Sequence, residues 1–251
     1  MYISRVIRLS VNVNKVATVR NSRGGAEPSV LAAVKACIAA GAPSITVHPR
    51  SDERHIRRSD VREIAELLAS EHRGIEYNIE GDPRPDWIDQ VLDHRPTQAT
   101  LVPVRPGEIT SEAGFDPRRD SELVAPVVQR FKAEGIRVSL FVDPELGPIS
   151  WAADMGADRV ELYTEPYARA FAAGGGEGQR SFERYVRAAE HAHKLGLGIN
   201  AGHDLDLDNM VLFRTLPHLD EVSIGHALIS RAIFHGLDKV VREYVAACSG
   251  A

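Results

Sequence analysis

Aromatic residues make up only 6% of this chain of 251 residues, and just two positions are cysteine. Cys37 and Cys248 lie far apart, outside any CxxC pair or His/Cys cluster. That excludes a disulfide framework and a structural zinc site, and it predicts two reduced thiols in a reducing compartment. Long hydrophobic runs are also missing: no stretch approaches the roughly 18 apolar residues that a membrane helix needs. The N-terminus, MYISRVIRLSVNVNK, has no long apolar core and no small-residue cleavage site, so a cytoplasmic location with no membrane partner is expected. Nor is there an excess of positive charge. With 30 basic against 35 acidic residues, the net charge of −5 argues against a general binder of nucleic acid. Any anionic ligand must be held by a local cluster of cations.

What is present is a regular alternation. Short runs rich in Val, Ile, Leu and Thr predict strands over Val6–Asn12, Ser44–His48, Glu76–Glu80, Gln98–Pro103, Arg137–Asp143, Arg159–Thr164, Leu197–Gly202 and Glu221–Gly225. Between them, helical spacing predicts helices over Pro28–Ala40, Ser59–Ser70, Pro85–Asp93, Asp120–Glu134, Pro148–Met155, Ser181–Leu195, Asp208–Leu216 and His226–Ala247. Eight β–α units with right-handed crossovers close most economically into a (β/α)8 barrel of the TIM type. The rival, an open doubly wound sheet, usually carries a Gly-rich dinucleotide loop after its first strand. Here the first loop reads KVATVRNSRGGAE, without GxGxxG, and no Pro/Ser-rich linker divides the chain. A single domain over residues 1–251 is expected.

In such barrels the chemistry sits at the C-terminal strand ends. Those positions carry Asn12, Asn14, His48, Arg50, Glu80, Thr110, Asp143, Glu161, Thr164, Asn200, His203, Gly225 and His226. Polar groups at most strand ends would be costly in a dry core, and a shared ligand pocket accounts for them. His48 opens HPRSDERH, a segment with Arg50, Arg54 and His55 that suits proton transfer and anion binding. Glu80 closes an apolar stretch, where burial would raise its pKa for general-base work; an ion pair with a neighbouring Arg reads equally well. The first loop offers Lys15, Arg20 and Arg23 before Gly24-Gly25, and IGHA places Gly225 and His226 at a helix start, a familiar phosphate seat. Together these cations predict one rim holding two phosphates, or a phosphate and a carboxylate. His191 and His193, two apart on a helix, point to different faces and read as surface residues. The run Gly174–Gly176 reads as a mobile loop over the site or as a plain connector.

The series SVNVNKVATVRNSRGG, ITVHPRSDERHI, NIEG, LVPVRPGEITSEAG, SLFVD, VELYTEPYA, NAGHDL and IGHALISRA resembles, in order and over almost the whole chain, the pyridoxine 5′-phosphate synthase family of deoxyxylulose-dependent vitamin B6 biosynthesis. The resemblance implies a metal-independent (β/α)8 enzyme without organic cofactor, assembled as a homo-octamer. Its phosphorylated small-molecule substrates would be 3-amino-2-oxopropyl phosphate and 1-deoxy-D-xylulose 5-phosphate, giving pyridoxine 5′-phosphate, inorganic phosphate and water. By motif, His48, Glu80 and His203 match the acid–base residues. Arg50, His55 and Thr110 match contacts to deoxyxylulose phosphate, Asn12 and Arg23 contacts to the aminoketone phosphate, and Gly225 and His226 its phosphate-binding turn. Asn14-Lys15 stands where the family pattern has Asp-His, Tyr163-Thr164-Glu165 where it often has His-Thr-Gly, and Asp204 where it has Gly. Asn14, Lys15 and Asp204 complete the candidate substrate-binding set; an Asp204 carboxylate facing the ligand would repel phosphate, one turned away would not. Two other readings are a divalent-metal sugar-phosphate aldolase or isomerase using Glu80, Asp143, Glu161 and His203, and a non-catalytic phosphate-ligand sensor.

Overall fold

The computed structural model describes residues 6–105, 107 and 111–250. Eight strands form a closed, all-parallel barrel in sequence order, β1 (Arg8–Asn12), β2 (Ser44–Val47), β3 (Glu76–Gly81), β4 (Gln98–Leu101), β5 (Arg137–Val142), β6 (Arg159–Tyr163), β7 (Gly198–Gly202) and β8 (Leu219–Ile224), with β8 paired back to β1. Each predicted strand is found, with ends displaced by a few residues.

The strands alternate in character, as period-two side chains dictate. One set of positions, such as Leu9, Val11, Ile45, Val47, Ile79, Leu140, Leu162 and Val222, is fully buried and apolar. The intervening set is polar: Ser10, Ser44, Thr46, Asn78, Gln98, Thr100, Ser139, Glu161, Asn200 and Glu221 are all buried. Asn200 on β7 donates to Gln98 on β4 at 3.3 Å, a bond that crosses the barrel, so this polar set fills the lumen. The strands are thus buried on both faces, apolar toward the helices and polar toward the lumen. Several of these groups satisfy one another, Ser10 with Ser44 and Thr46, Asn78 with Thr46 and Thr100, which offsets part of the penalty of burying them, whereas Ser139 Oγ and Glu161 Oε2 have no hydrogen-bond partner among the described residues. The apolar core instead lies between the sheet and the surrounding helices.

The helices are α1 (Asn14–Asn21), α2 (Val30–Ala39), α3 (Arg58–Glu71), α4 (Pro85–His94), α5 (Pro117–Ala133), α6 (Leu146–Asp154), α7 (Glu165–Ala173), α8 (Glu177–Lys194), α9 (Leu207–Phe213), α10 (His226–His235) and α11 (Leu237–Ser249). Three differences from the sequence expectation matter. The expected first loop is helical, because Val16, Ala17 and Arg20 bury one face of α1. After β6, α7 forms with a proline in its first turn and is locked by Tyr167, whose ring meets Phe171, Phe182, Tyr185 and Phe213 at 5.0–6.2 Å. Lastly, the expected long final helix breaks into α10 and α11 at Gly236, whose φ of +84° is readily adopted only by glycine.

Candidate active site

The C-terminal strand ends surround a cavity of about 530 Å³, lined by residues from both ends of the chain. Helix α1 turns Asn14, Lys15 and Thr18 toward it, Thr18 standing i+4 from Asn14 and i+3 from Lys15, the spacings that share a helix face. Asn12 accepts the backbone N–H of Asn14 at 3.0 Å, and the Asn14 side chain accepts that of His48 at 2.9 Å. Asn14 therefore sets the position of His48, whatever else it touches.

His48 is buried, with Nδ1 3.8 Å from Glu80 Oε2 and with no hydrogen-bond partner at Nε2 among the described residues. Burial first, then the nearby His55, Arg50 and Arg84, hold its pKa well below the ordinary histidine range, so the ring is neutral near pH 7. Glu80 moves the other way. Burial, reinforced by the Glu221 charge and partly offset by a hydrogen bond from Ser223 at 3.5 Å, pushes its carboxyl up to about 8. The backbone at Glu80 is held by Trp87, whose indole donates to the Glu80 carbonyl at 2.9 Å. Gly81 permits this, since a Cβ there would overlap the indole ring. Glu161 also lines the cavity, its pKa raised by burial and by the charges of Glu80 and Glu221.

The segment after β2 presents Arg50, Arg54 and His55 to the cavity. His55 Nδ1 accepts the Ile56 N–H at 2.9 Å, so a neutral ring carries its proton on Nε2 and can donate it to an anion. Burial, with Lys15 and Arg50 beside it, lowers the His55 pKa to about 4, which keeps the ring neutral. On the other side of β1, Gly225 follows β8, leads into α10 and lines the cavity with His226. A Cβ at Gly225 would stand 3.0 Å from Asn12 Cβ and 3.1 Å from its carbonyl oxygen, so glycine lets β1 and this turn approach closely. His203 and Asp204 complete the ring from β7, with His203 Nδ1 2.9 Å from an Asp204 carboxylate oxygen.

Most of the expected site residues thus converge: Asn12, Asn14, Lys15, His48, Arg50, His55, Glu80, His203, Asp204, Gly225 and His226 all line one cavity. Thr110 lies outside the described residues. Arg23 is exposed beyond the end of α1 and is not among the cavity-lining residues. Arg20, grouped with the rim cations from sequence, is corrected: it is buried in a two-pronged pair with Asp60 at 2.5 and 2.9 Å and donates to the His55 carbonyl at 3.2 Å. Asn21 donates to the same carbonyl at 2.7 Å and to that of Glu53 at 3.1 Å. Arg20, Asn21 and Asp60 thereby pin the anion-binding segment from behind, an arrangement that alternation in the sequence does not reveal.

Asp143 accepts the Gly114 N–H at 3.3 Å and does not line the cavity. Among the described residues, no group of three or more His, Cys, Asp or Glu side chains is placed to hold a metal ion. Gly174–Gly176 joins α7 to α8 away from the cavity lining, and neither His191 nor His193 reaches it: His191 bonds Ser150 and His193 stacks on His218. Ser223 and the apolar pair Val102 and Phe141 are lining residues that the sequence reading missed. Ser223 was findable, since it lies two residues before Gly225 and so shares its strand face.

The family model for the pyridoxal phosphate biosynthesis protein PdxJ matches residues 9–250. Pyridoxine 5′-phosphate synthase of Porphyromonas gingivalis is 52% identical over 238 residues, covering 94% of this chain and 97% of that protein. The synthase of Leptospira biflexa is 48% identical over 248 residues, covering 95% of each. Among solved structures, TrpF from Jonesia denitrificans superimposes with a TM-score of 0.60 at 15% identity, covering 97% of each chain. The YdjI aldolase from Escherichia coli K12 gives 0.60 at 12%, covering 98% of this chain and 90% of that one. At such identities the solved structures speak for the barrel fold alone.

Proposed function

The chain belongs to the PdxJ family of pyridoxal phosphate biosynthesis proteins, and from that premise we propose that its cavity joins 3-amino-2-oxopropyl phosphate to 1-deoxy-D-xylulose 5-phosphate, releasing pyridoxine 5′-phosphate, inorganic phosphate and water. The observation that carries this reading is the pairing of Glu80 with His48, 3.8 Å apart, in one cavity with two separate anion seats. One seat is the Arg50–His55 segment, the other the Gly225–His226 turn at the start of α10, where free amides and the helix dipole favour phosphate. Two phosphates held in one cavity bring an amine and a ketone together, and that positioning removes much of the entropic barrier to condensation.

Imine formation, enolisation, loss of water and phosphate, and ring closure each move a proton. Glu80, raised to about 8, is the general base for the early imine and enol steps in its ionised form, the minor form near pH 7 but a stronger base than an ordinary carboxylate. His48, neutral and buried beside it, passes protons to and from the departing oxygens. His203, on the opposite wall, assists ring closure and holds the substrate in place. Lys15 and Asn12 contact the phosphorylated substrates from β1 and α1.

No helix among the described residues is long and apolar enough to cross a membrane, and a cytoplasmic location agrees with phosphorylated substrates. We read residues 1–251 as one domain and the working assembly as a homo-octamer; the exposed Ile233 and Phe234 of α10 offer an apolar surface for contacts between copies. The test is direct. Folded protein incubated with both substrates is followed by absorbance for pyridoxine 5′-phosphate, and absence of product overturns the assignment.

A further inference from the structure

His203 and Asp204 have φ of +92° and +59°, two consecutive non-glycine residues in a region that side chains disfavour. Such strain persists only where the surroundings over-determine it, and it concentrates at functional sites. Here the surroundings are explicit. Thr164 shares its one hydroxyl proton between the carbonyls of Gly202, at 2.7 Å, and of His203. Asn209 donates to the Asp204 carbonyl at 3.0 Å, and the Tyr163 ring stands edge-on to the His203 imidazole with centroids 5.1 Å apart. The product of this bracing is a short contact, 2.9 Å between His203 Nδ1 and Asp204 Oδ2.

A carboxylate accepts and does not donate, so Nδ1 must carry a proton. We infer that Asp204 is a positioning residue: it fixes the tautomer and orientation of His203, so that Nε2 is the nitrogen that exchanges a proton with the substrate. In a neutral ring Nε2 is then a free base, and in a charged ring it is the acid. The contact also settles which way the Asp204 side chain turns. It lines the cavity, yet its charge is committed to His203 and faces Lys15 and His226, which offsets its repulsion of phosphate.

The inference rests on reading His203 as an acid–base residue, and the test separates the two ideas. Asp204→Asn, Asp204→Gly and His203→Gln are compared with the unaltered full-length enzyme. Acid–base groups contribute about 100-fold or more to rate, and losing the orienting carboxylate is expected to forfeit roughly tenfold in kcat in both Asp204 variants. KM for each phosphorylated substrate is expected to hold within about threefold or to fall, since removing a carboxylate beside Lys15 and His226 cannot weaken an anion's seat. Asp204→Gly relieves the positive φ, so its melting temperature should stay level or rise while kcat drops, a divergence that a purely structural role does not produce. In histidine-labelled protein, long-range 1H–15N spectra should show the His203 ring protonated at Nδ1, and that pattern should be lost in Asp204→Gly. Unchanged kcat in both Asp204 variants, a loss confined to KM, or a wild-type ring unprotonated at Nδ1 overturns the inference. Full activity in His203→Gln overturns the acid–base reading on which it stands.

Discussion

Replacing Glu80 by glutamine removes a charge from a buried position while keeping its shape, so stability and activity should move in opposite directions. In the folded chain the carboxyl holds its proton up to about pH 8, against 4.5 for an ordinary glutamate. Across that window the unfolded chain has already released a proton that the folded one keeps, and stability therefore falls as pH rises. The contribution is fully present below pH 4.5 and gone above about 8. At roughly 1.4 kcal/mol per pH unit, the interval sets a ceiling of about 5 kcal/mol on the destabilisation. Glu161 and Glu221 share the same buried charge field, so a single replacement recovers only part of it. Recovery of about 2 kcal/mol corresponds to roughly 4–8 °C in Tm for a chain of this length. Thermal unfolding by circular dichroism at pH 5 and pH 8.5 measures it, with all other titrations common to the two proteins. Glu80→Gln should melt close to wild type at pH 5 and several degrees higher at pH 8.5, with turnover abolished and phosphate-ligand binding retained. No gap at pH 8.5, a gap equally large at pH 5, or surviving turnover would refute the reasoning.

Asp60→Asn leaves the Arg20 guanidinium buried without its charge partner, a change that costs about 3–5 kcal/mol and should lower Tm by about 10 °C; a drop of under about 3 °C would mean that Arg20 finds another partner. Gly225→Ala pushes a methyl against Asn12 and displaces the start of α10, so KM for a phosphorylated substrate should rise about tenfold with a modest loss of stability of about 1–3 kcal/mol. Unaltered KM would show that this turn does not hold phosphate. Treatment with EDTA followed by Mn²⁺ should leave turnover unchanged; activity lost to the chelator and restored by the metal would favour the aldolase or isomerase reading instead.

Much of the site was legible because parallel barrels place chemistry where each strand ends, and each strand end is visible as a polar residue closing an apolar run. His48, Glu80 and His203 were found this way, and the cavity gathers them. The cations were harder. Lys15, Arg20 and Arg23 occupy one short segment, and sequence treats them alike, yet the helical turn of α1 sends Lys15 to the cavity and Arg20 into the core, leaving Arg23 exposed beyond its end. Helix α7 was missed for a related reason: its stability comes from Tyr167 buried among the aromatic rings of α8 and α9, contacts that no local pattern encodes.

By itself the sequence determined the order of the strands and of the helices that follow most of them, the closed barrel and the family, since periodicity and motif order are properties of the chain read along its length. Tertiary structure alone decided how the ionisable groups behave. Burial raises Glu80 and lowers His48 and His55, a backbone N–H chooses the His55 tautomer, and a strained pair of residues joins Asp204 to His203. A pKa depends on how much water and which charges surround a group, and those neighbours come from strands and helices far apart in the chain.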